Sequence, residues 1–219
     1  MFFISCSLWP QKEEKKTLTT RPFEALHIYY NLDVKLIESD FNKAVAYGKN
    51  SDFLILTLKD NTLKIRLSGP VLLSANKTKI DLYHSMPLDH IMVSRGSFLT
   101  ASEPINQDSL SLEAKNNAVM SLELYVESLK TKVSLGGRVH LKGKAATHNL
   151  KVLTEGVCES EQLISEQTKI VSKGGAYAYV YSKSLLEAKI FGGVLRVFGN
   201  PTKQISQVSL GGKIYVEEY

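Results

Sequence analysis

From residue 87 onward, short stretches of alternating apolar and polar residues are broken at regular intervals by Gly-Gly or an equivalent pair. The segment Val133-Ser134-Leu135-Gly136-Gly137-Arg138-Val139-His140-Leu141 shows the unit: strand, turn, strand. Aligning the second turn residue of each copy puts Gly96, Asn117, Gly137, Gly156, Gly175, Gly193 and Gly212 in one column, in steps of 18 to 21 residues. Two positions later stand Phe98, Val119, Val139, Cys158, Tyr177, Leu195 and Ile214. A period of two puts such residues on one side of a strand. This column is therefore predicted to face inward.

A near-constant step of about 20 residues marks a solenoid. One repeat cannot bury its own apolar residues. Stacking coils about 4.8 Å apart pairs the strands and merges the columns into a core. Glycine belongs at the corners, where the backbone needs positive φ, and Asn117 tolerates that region better than most residues. A meander of antiparallel hairpins is the alternative, since Gly-Gly turns serve it too. The steady step favours the coiled reading.

Residues 22–86 are rich in strand signals but lack the regular step. Phe23 to Tyr30, Asp33 to Ile37, Ala44 to Tyr47, Leu54 to Leu58, Leu63 to Leu67 and Ile80 to Tyr83 read as strands, and Asp60-Asn61 as a turn. They are expected to form an N-terminal cap on the regular coils of 87–219, within one domain spanning 22–219. Residues 10–21 carry few large apolar side chains and read as a flexible tether. Residues 1–9 are apolar up to Cys6, like the end of a bacterial lipoprotein signal with Cys6 as the lipidation site. The run is short and no basic residue precedes it. Either the start was assigned too far downstream, or this is an ordinary N-terminus. The sharp change in composition after Cys6 favours the first.

Charge changes this picture little. The net charge is +5, with a sequence pI near 9.0. The lysines are scattered along strands and turns, where they discourage edge-to-edge pairing. No nucleic-acid-binding motif occurs, and no apolar run is long enough to span a membrane as a helix. Of the two cysteines, Cys158 lies in the inward column and reads as a small buried hydrophobe. It is not expected to pair with Cys6.

The order of several segments resembles the bacterial GIN domain, the head domain of putative auto-transporter adhesins. Phe23-Glu24-Ala25-Leu26 with Leu32-Asp33-Val34-Lys35-Leu36 resembles its first hairpin. Asn61-Thr62-Leu63-Lys64-Ile65 resembles its next strand, and Ile80 to Tyr83 with Pro87-Leu88 its entry to the coils. Phe198-Gly199-Asn200-Pro201 matches its aromatic-Gly-x-Pro signature before a last coil at Leu210 to Ile214. The resemblance covers residues 22–219 and implies a parallel β-solenoid of the cell envelope, often with a lipoprotein signal. It implies no catalytic residues. Arg95-Gly96, Asn116-Asn117 and Glu155-Gly156 depart from the family's Gly-rich turns.

No constellation for chemistry stands out. His27, His84, His90, His140 and His148 have no metal-ligand spacing with Cys, Asp or Glu. The glycine turns lack the following Asp of calcium-binding repeats. No phosphate loop or nucleophile elbow occurs. A carbohydrate-active β-helix enzyme would need acids clustered on one face, and after residue 90 the only Asp is Asp108. The remaining candidates are Tyr177, Tyr179 and Tyr181, which alternate along one strand. The column predicts Tyr177 inward, and leaves Tyr179 and Tyr181 as a candidate ligand platform.

The sequence therefore predicts an all-β protein: a right-handed parallel β-solenoid of about seven coils. Gly137, Gly175, Gly193, Gly199, Pro201 and Gly212 are its structural turn residues. The predicted role is non-enzymatic, with no cofactor and no metal: an extracytoplasmic module of the bacterial envelope, adhesin-like or scaffolding. Its partner would be glycan or protein at the cell surface, not nucleic acid, with membrane contact only through a lipid at Cys6. A carbohydrate-active β-helix enzyme and a self-associating structural protein, stacking through its last coil, are the alternatives.

Overall fold

A computed structural model describes residues 14–69 and 77–217. The predicted lipidation site Cys6 lies outside the described residues. Strand accounts for 70% of the described residues, in stacked coils that form a β-solenoid of about 7 turns. In chain order the first strands are β1 (Lys15–Thr19), β2 (Ala25–Ile28), β3 (Leu32–Glu38), β4 (Lys43–Tyr47), β5 (Leu54–Lys59) and β6 (Thr62–Leu67). Next come β7 (Thr78–His84), β8 (His90–Ser94), β9 (Phe98–Ala101), β10 (Ile105–Lys115), β11 (Val119–Ser134) and β12 (Arg138–Leu153). The last are β13 (Val157–Lys173), β14 (Tyr177–Tyr181), β15 (Leu185–Phe191), β16 (Val194–Phe198), β17 (Lys203–Ser209) and β18 (Lys213–Val216).

The strands build two ladders around one core. The long strands β11, β12 and β13 belong to both, through their first and second halves. The first ladder runs β18, β16, β14, then the first halves of β13, β12 and β11, then β9, β3 and β7, all parallel. The second runs β17, β15, the second halves of β13, β12 and β11, then β10, β8, β2 and β6. Inward residues of both ladders form one continuous apolar cluster from Phe23 to Val197.

The N-terminal part is woven in rather than set on top. β2 and β3 lie between β6–β7 on one side and β8–β9 on the other. Among the described residues of 22–86, only β4 and β5 run antiparallel to their neighbours in the ladders. Lys15 to Thr19, expected in a tether, is instead strand β1, paired antiparallel with β4. Leu18 explains why, since it packs against the core cluster. Antiparallel edges close this end of the stack. At the other end, β17 and β18 are paired on one side only among the described residues.

The corners repeat a two-residue left-handed turn. Positive φ occurs at Arg95 and Gly96, Asn116 and Asn117, Leu135 and Gly136, and Thr154 and Glu155. Two consecutive positive φ values define the type I′ turn, whose twist suits the flanking strands. Stacked turns are stitched by backbone hydrogen bonds: Gly96 N donates to Asn116 O at 3.0 Å, Asn117 N to Leu135 O at 3.1 Å, and Glu155 N to Gly174 O at 3.0 Å. The ladder offsets the roughly 1 kcal/mol that each non-glycine residue costs there.

Strand pairing corrects the sequence alignment. Val119 lies opposite Phe98 and Arg138, and Tyr177 lies opposite Val157 and Val194. The residues sharing a position with Gly137, Gly156, Gly193 and Gly212 are therefore Ser97, Ala118 and Ala176, not Gly96, Asn117 and Gly175. The inward column is Leu99, Met120, Val139, Cys158, Ala178 and Leu195, all buried. Phe98, Val119 and Tyr177 face outward, and Tyr177 is 48% exposed. The alignment slipped because it was keyed on glycine. Gly174-Gly175 supplies both positive-φ positions, whereas in Gly136-Gly137 only the first glycine has positive φ.

Candidate functional site

Tyr177, Tyr179 and Tyr181 all stand on the outer side of β14, because the buried residues between them are Ala178 and Val180. At about 6.7 Å per two residues, they form a row about 13 Å long. Neighbouring strands extend it: Tyr181 lies opposite Phe198, and Tyr179 lies between Glu159 and Arg196. Arg196 in turn sits 5.4 Å from the centre of the Tyr215 ring and pairs with Glu217. The face is thus aromatic along one strand and charged at its flanks.

Buried hydroxyls fix this strand from behind. Ser160 Oγ donates to Tyr179 O at 2.8 Å, Ser165 Oγ to Tyr181 O at 2.7 Å, and Thr168 Oγ1 to the same carbonyl at 3.2 Å. All three polar side chains are buried. Their own hydroxyls are satisfied by these carbonyls, which is what a buried polar side chain requires. Alternation alone marks Ser160, Ser165 and Thr168 as interruptions of the apolar pattern, so they were missed in the sequence.

The predicted turn residues fall into two kinds. Gly137 and Gly193 are sites of close approach: a Cβ would lie 2.5 Å from Ala114 O and 2.2 Å from Ala176 O, respectively. Gly212 is similarly crowded, by Ile190 at 2.8 Å, whereas a Cβ at Gly175 would meet open space. Gly199, before Pro201, has φ +91, and its Cβ would stand 2.5 Å from the Tyr181 ring. This glycine leaves the room that Tyr181 occupies, so the Phe198-to-Pro201 turn shapes the aromatic row.

Tyr181 also borders a groove of about 760 Å³ at the bend between the ladders, with Tyr125, Ile164, Lys144, Glu166 and Lys183 around it. Lys183 pairs with Glu166 at 3.2 Å, and the Ser184 hydroxyl donates to the same carboxylate at 3.1 Å. These contacts hold the Glu166 carboxyl below its usual range. The groove combines an aromatic wall with fixed charges, a composition suited to hydroxyl-rich or peptide ligands.

A second groove, of about 480 Å³, lies on the same outer face beside Glu123, His140, Glu159 and Glu161. Glu123 in this groove is not poised as a glycosidase acid. Lys142 bonds Glu123 at 2.8 Å and the Tyr125 hydroxyl donates to it at 3.0 Å, so its carboxyl is held low rather than raised. A general acid needs the opposite shift. Arg138 and His140 pair with Glu159. Among the described residues, no group of three or more His, Cys, Asp or Glu side chains could hold a metal ion. His148 is buried, with Nε2 3.1 Å from Thr131 Oγ1, so it serves the core. Cys158 is buried as well, and burial pushes its thiol up to about 12, which leaves it unreactive at neutral pH.

Comparison with known proteins agrees with this architecture. A family profile described as "Putative auto-transporter adhesin, head GIN domain" matches residues 22–201. A putative adhesin from Bacteroides fragilis has a similar structure, with TM-score 0.82 and 18% identity over 94% of this chain and 98% of that one. A putative adhesin from Parabacteroides merdae matches with TM-score 0.70 and 18% identity over 95% and 98%. One from Parabacteroides distasonis matches with TM-score 0.71 and 18% identity over 94% and 97%. At such identities the likeness is one of fold. No curated protein matches the sequence.

Proposed function

The chain belongs to the putative auto-transporter adhesin family with the head GIN domain, and from that premise we propose that it is a non-enzymatic, adhesin-like module of the bacterial envelope. It contacts a glycan or protein through the outer face of β14. The observation that carries this reading is the row Tyr177, Tyr179 and Tyr181, exposed or half-exposed and anchored from behind by Ser160, Ser165 and Thr168. Rings held on a rigid strand lose little entropy on binding and offer flat faces to sugars or to partner side chains. In this reading the module works outside the cytoplasm, held at the membrane by a lipid on Cys6.

The test is co-sedimentation of the protein with isolated cell-envelope material at low and at high salt. Retention of the unaltered chain should survive high salt. The double variant Tyr179→Ala, Tyr181→Ala should lose about tenfold or more in retention while keeping its circular dichroism spectrum, since removed aromatic anchors cost about 1.4 kcal/mol or more. Retention that vanishes with salt, or that the double variant preserves, would sink the proposal. A scaffolding role through self-association is the second reading. It draws on the one-sided pairing of β17 and β18 and on exposed Ile205, Val208 and Val216. Mass growing with concentration in sedimentation velocity would favour it.

A further inference from the structure

The outer face of the second ladder carries a different chemistry. Strand register aligns Ser111, Lys130, Asn149, Lys169 and Glu187 in one column. The adjacent column is Glu113, Lys132, Lys151, Val171 and Lys189. Between them a groove of about 480 Å³ crosses the coils from His90 on β8 to Val171 on β13. Some of the charge is answered locally: Glu113 pairs with Lys115 and Lys132, and Glu187 with Lys169. Lys130, Lys151 and Lys189 are exposed and have no ion pair among the described residues. Lys132 and Lys151 lie directly opposite each other on adjacent strands. Glu113 answers Lys132, which leaves Lys151 as the unanswered cation of this facing pair among the described residues.

We propose that an acidic polysaccharide chain binds here, running across the coils, with its carboxylates against Lys130 and Lys151 in the groove and against Lys189 one strand beyond Val171. The lysines recur along the stacking direction at one or two strand spacings, about 5 to 10 Å, as acidic groups recur along such a chain. A bilayer is a poorer fit, because a membrane-binding face sets apolar and aromatic side chains at its centre. Here the middle strand of the groove presents Lys130 and Lys132. Single-stranded nucleic acid is also a poorer fit, because its bases need aromatic stacking partners, and His90 is the only ring along the groove. The site stands apart from the tyrosine row, on the opposite ladder.

The probe is polygalacturonate, titrated into the full chain at low and at physiological salt. Binding should persist at physiological salt. The triple variant Lys130→Gln, Lys151→Gln, Lys189→Gln should weaken it by on the order of 100-fold. A control triple variant on the other face, Lys35→Gln, Lys79→Gln, Lys213→Gln, removes the same charge and should weaken it by less than about threefold. Tyr179→Ala with Tyr181→Ala should leave it unchanged, which separates this site from the adhesive face. Equal losses in the two lysine variants would mean that net charge alone is at work and would overturn the proposal. So would absent binding, or tighter binding to phosphatidylglycerol vesicles or to single-stranded DNA than to polygalacturonate.

Discussion

Replacing Gly143 by alanine separates the effect of coil-to-coil contact from that of backbone conformation. Gly143 lies within β12, has φ +110, and is opposite Leu124 and Leu163, both buried. A Cβ there would stand 2.1 Å from Leu124 O and 3.0 Å from Leu124 C. The obstacle is backbone of the preceding coil, so relief requires moving one coil away from the next and opening the core beside the two leucines. Positive φ alone costs about 1–2 kcal/mol for a residue with a Cβ. Overpacking of a tight core adds about 1–3 kcal/mol. The expected loss is therefore about 2–5 kcal/mol. Gly175→Ala is the control. It has φ +73 and nothing within 4 Å of the added Cβ, so it should cost only about 1–2 kcal/mol. Urea unfolding followed by circular dichroism measures both, and amide exchange should show lost protection around Leu124 and Leu163 in the first variant only. Costs within about 0.5 kcal/mol of each other would refute the reasoning.

Other expectations follow from burial and charge. Val139→Asp, fully buried between Met120 and Cys158, should lower stability by several kcal/mol in urea unfolding, whereas Arg138→Asp, exposed and paired only at the surface, should cost about 1 kcal/mol or less. Burial lowers the His148 imidazole to about 4, so the unfolded chain takes up its proton first, near pH 6.5. Stability is then full above about pH 6.5, falls as pH drops toward 4, and levels off below. The total is about 3 kcal/mol, which His148→Gln should largely abolish in urea titrations from pH 7 to pH 4. Gly199→Ala should displace the Tyr181 ring and change its fluorescence and near-ultraviolet dichroism, with strand content unchanged in the far-ultraviolet.

Much of this was legible in the sequence because core positions recur with the coil. Val139, Cys158 and Leu195 were aligned correctly by counting from the glycine turns. Three other copies slipped by one residue, since Gly96, Asn117 and Gly175 are the second positive-φ residue of their turns, whereas Gly137 and Gly156 follow the positive-φ pairs Leu135-Gly136 and Thr154-Glu155. Glycine therefore does not mark one fixed position. That slip turned Tyr177 from a surface residue into an expected core residue. The interleaving of β2 and β3 between later strands was not legible, because nothing local records which distant edge a strand joins. Nor was the β1 pairing, where Leu18, partly buried against the core, ties down a polar segment. The lysine columns were written in the spacing of Lys132 and Lys151, but only the true register separates a column from a scatter.

The solenoid divides its labour by face. Inward residues and corner turns specify the coil, and each must satisfy neighbours on both sides, so their chemistry is narrow. Outward residues touch mainly solvent and one another, and a change there costs about 0.5 kcal/mol or less. Two chains can therefore share the stack at 18% identity. For this chain the faces are unlike each other: tyrosines backed by buried hydroxyls on one ladder, exposed lysines in and beside a groove on the other. Neither feature is required to build a coil. Ser160, Ser165 and Thr168 even replace apolar core with polar groups, at some cost to packing, and their bonds hold the backbone of the tyrosine strand. A core that gives up apolar contacts to fix one outward row is the strongest physical reason to look for the ligand there.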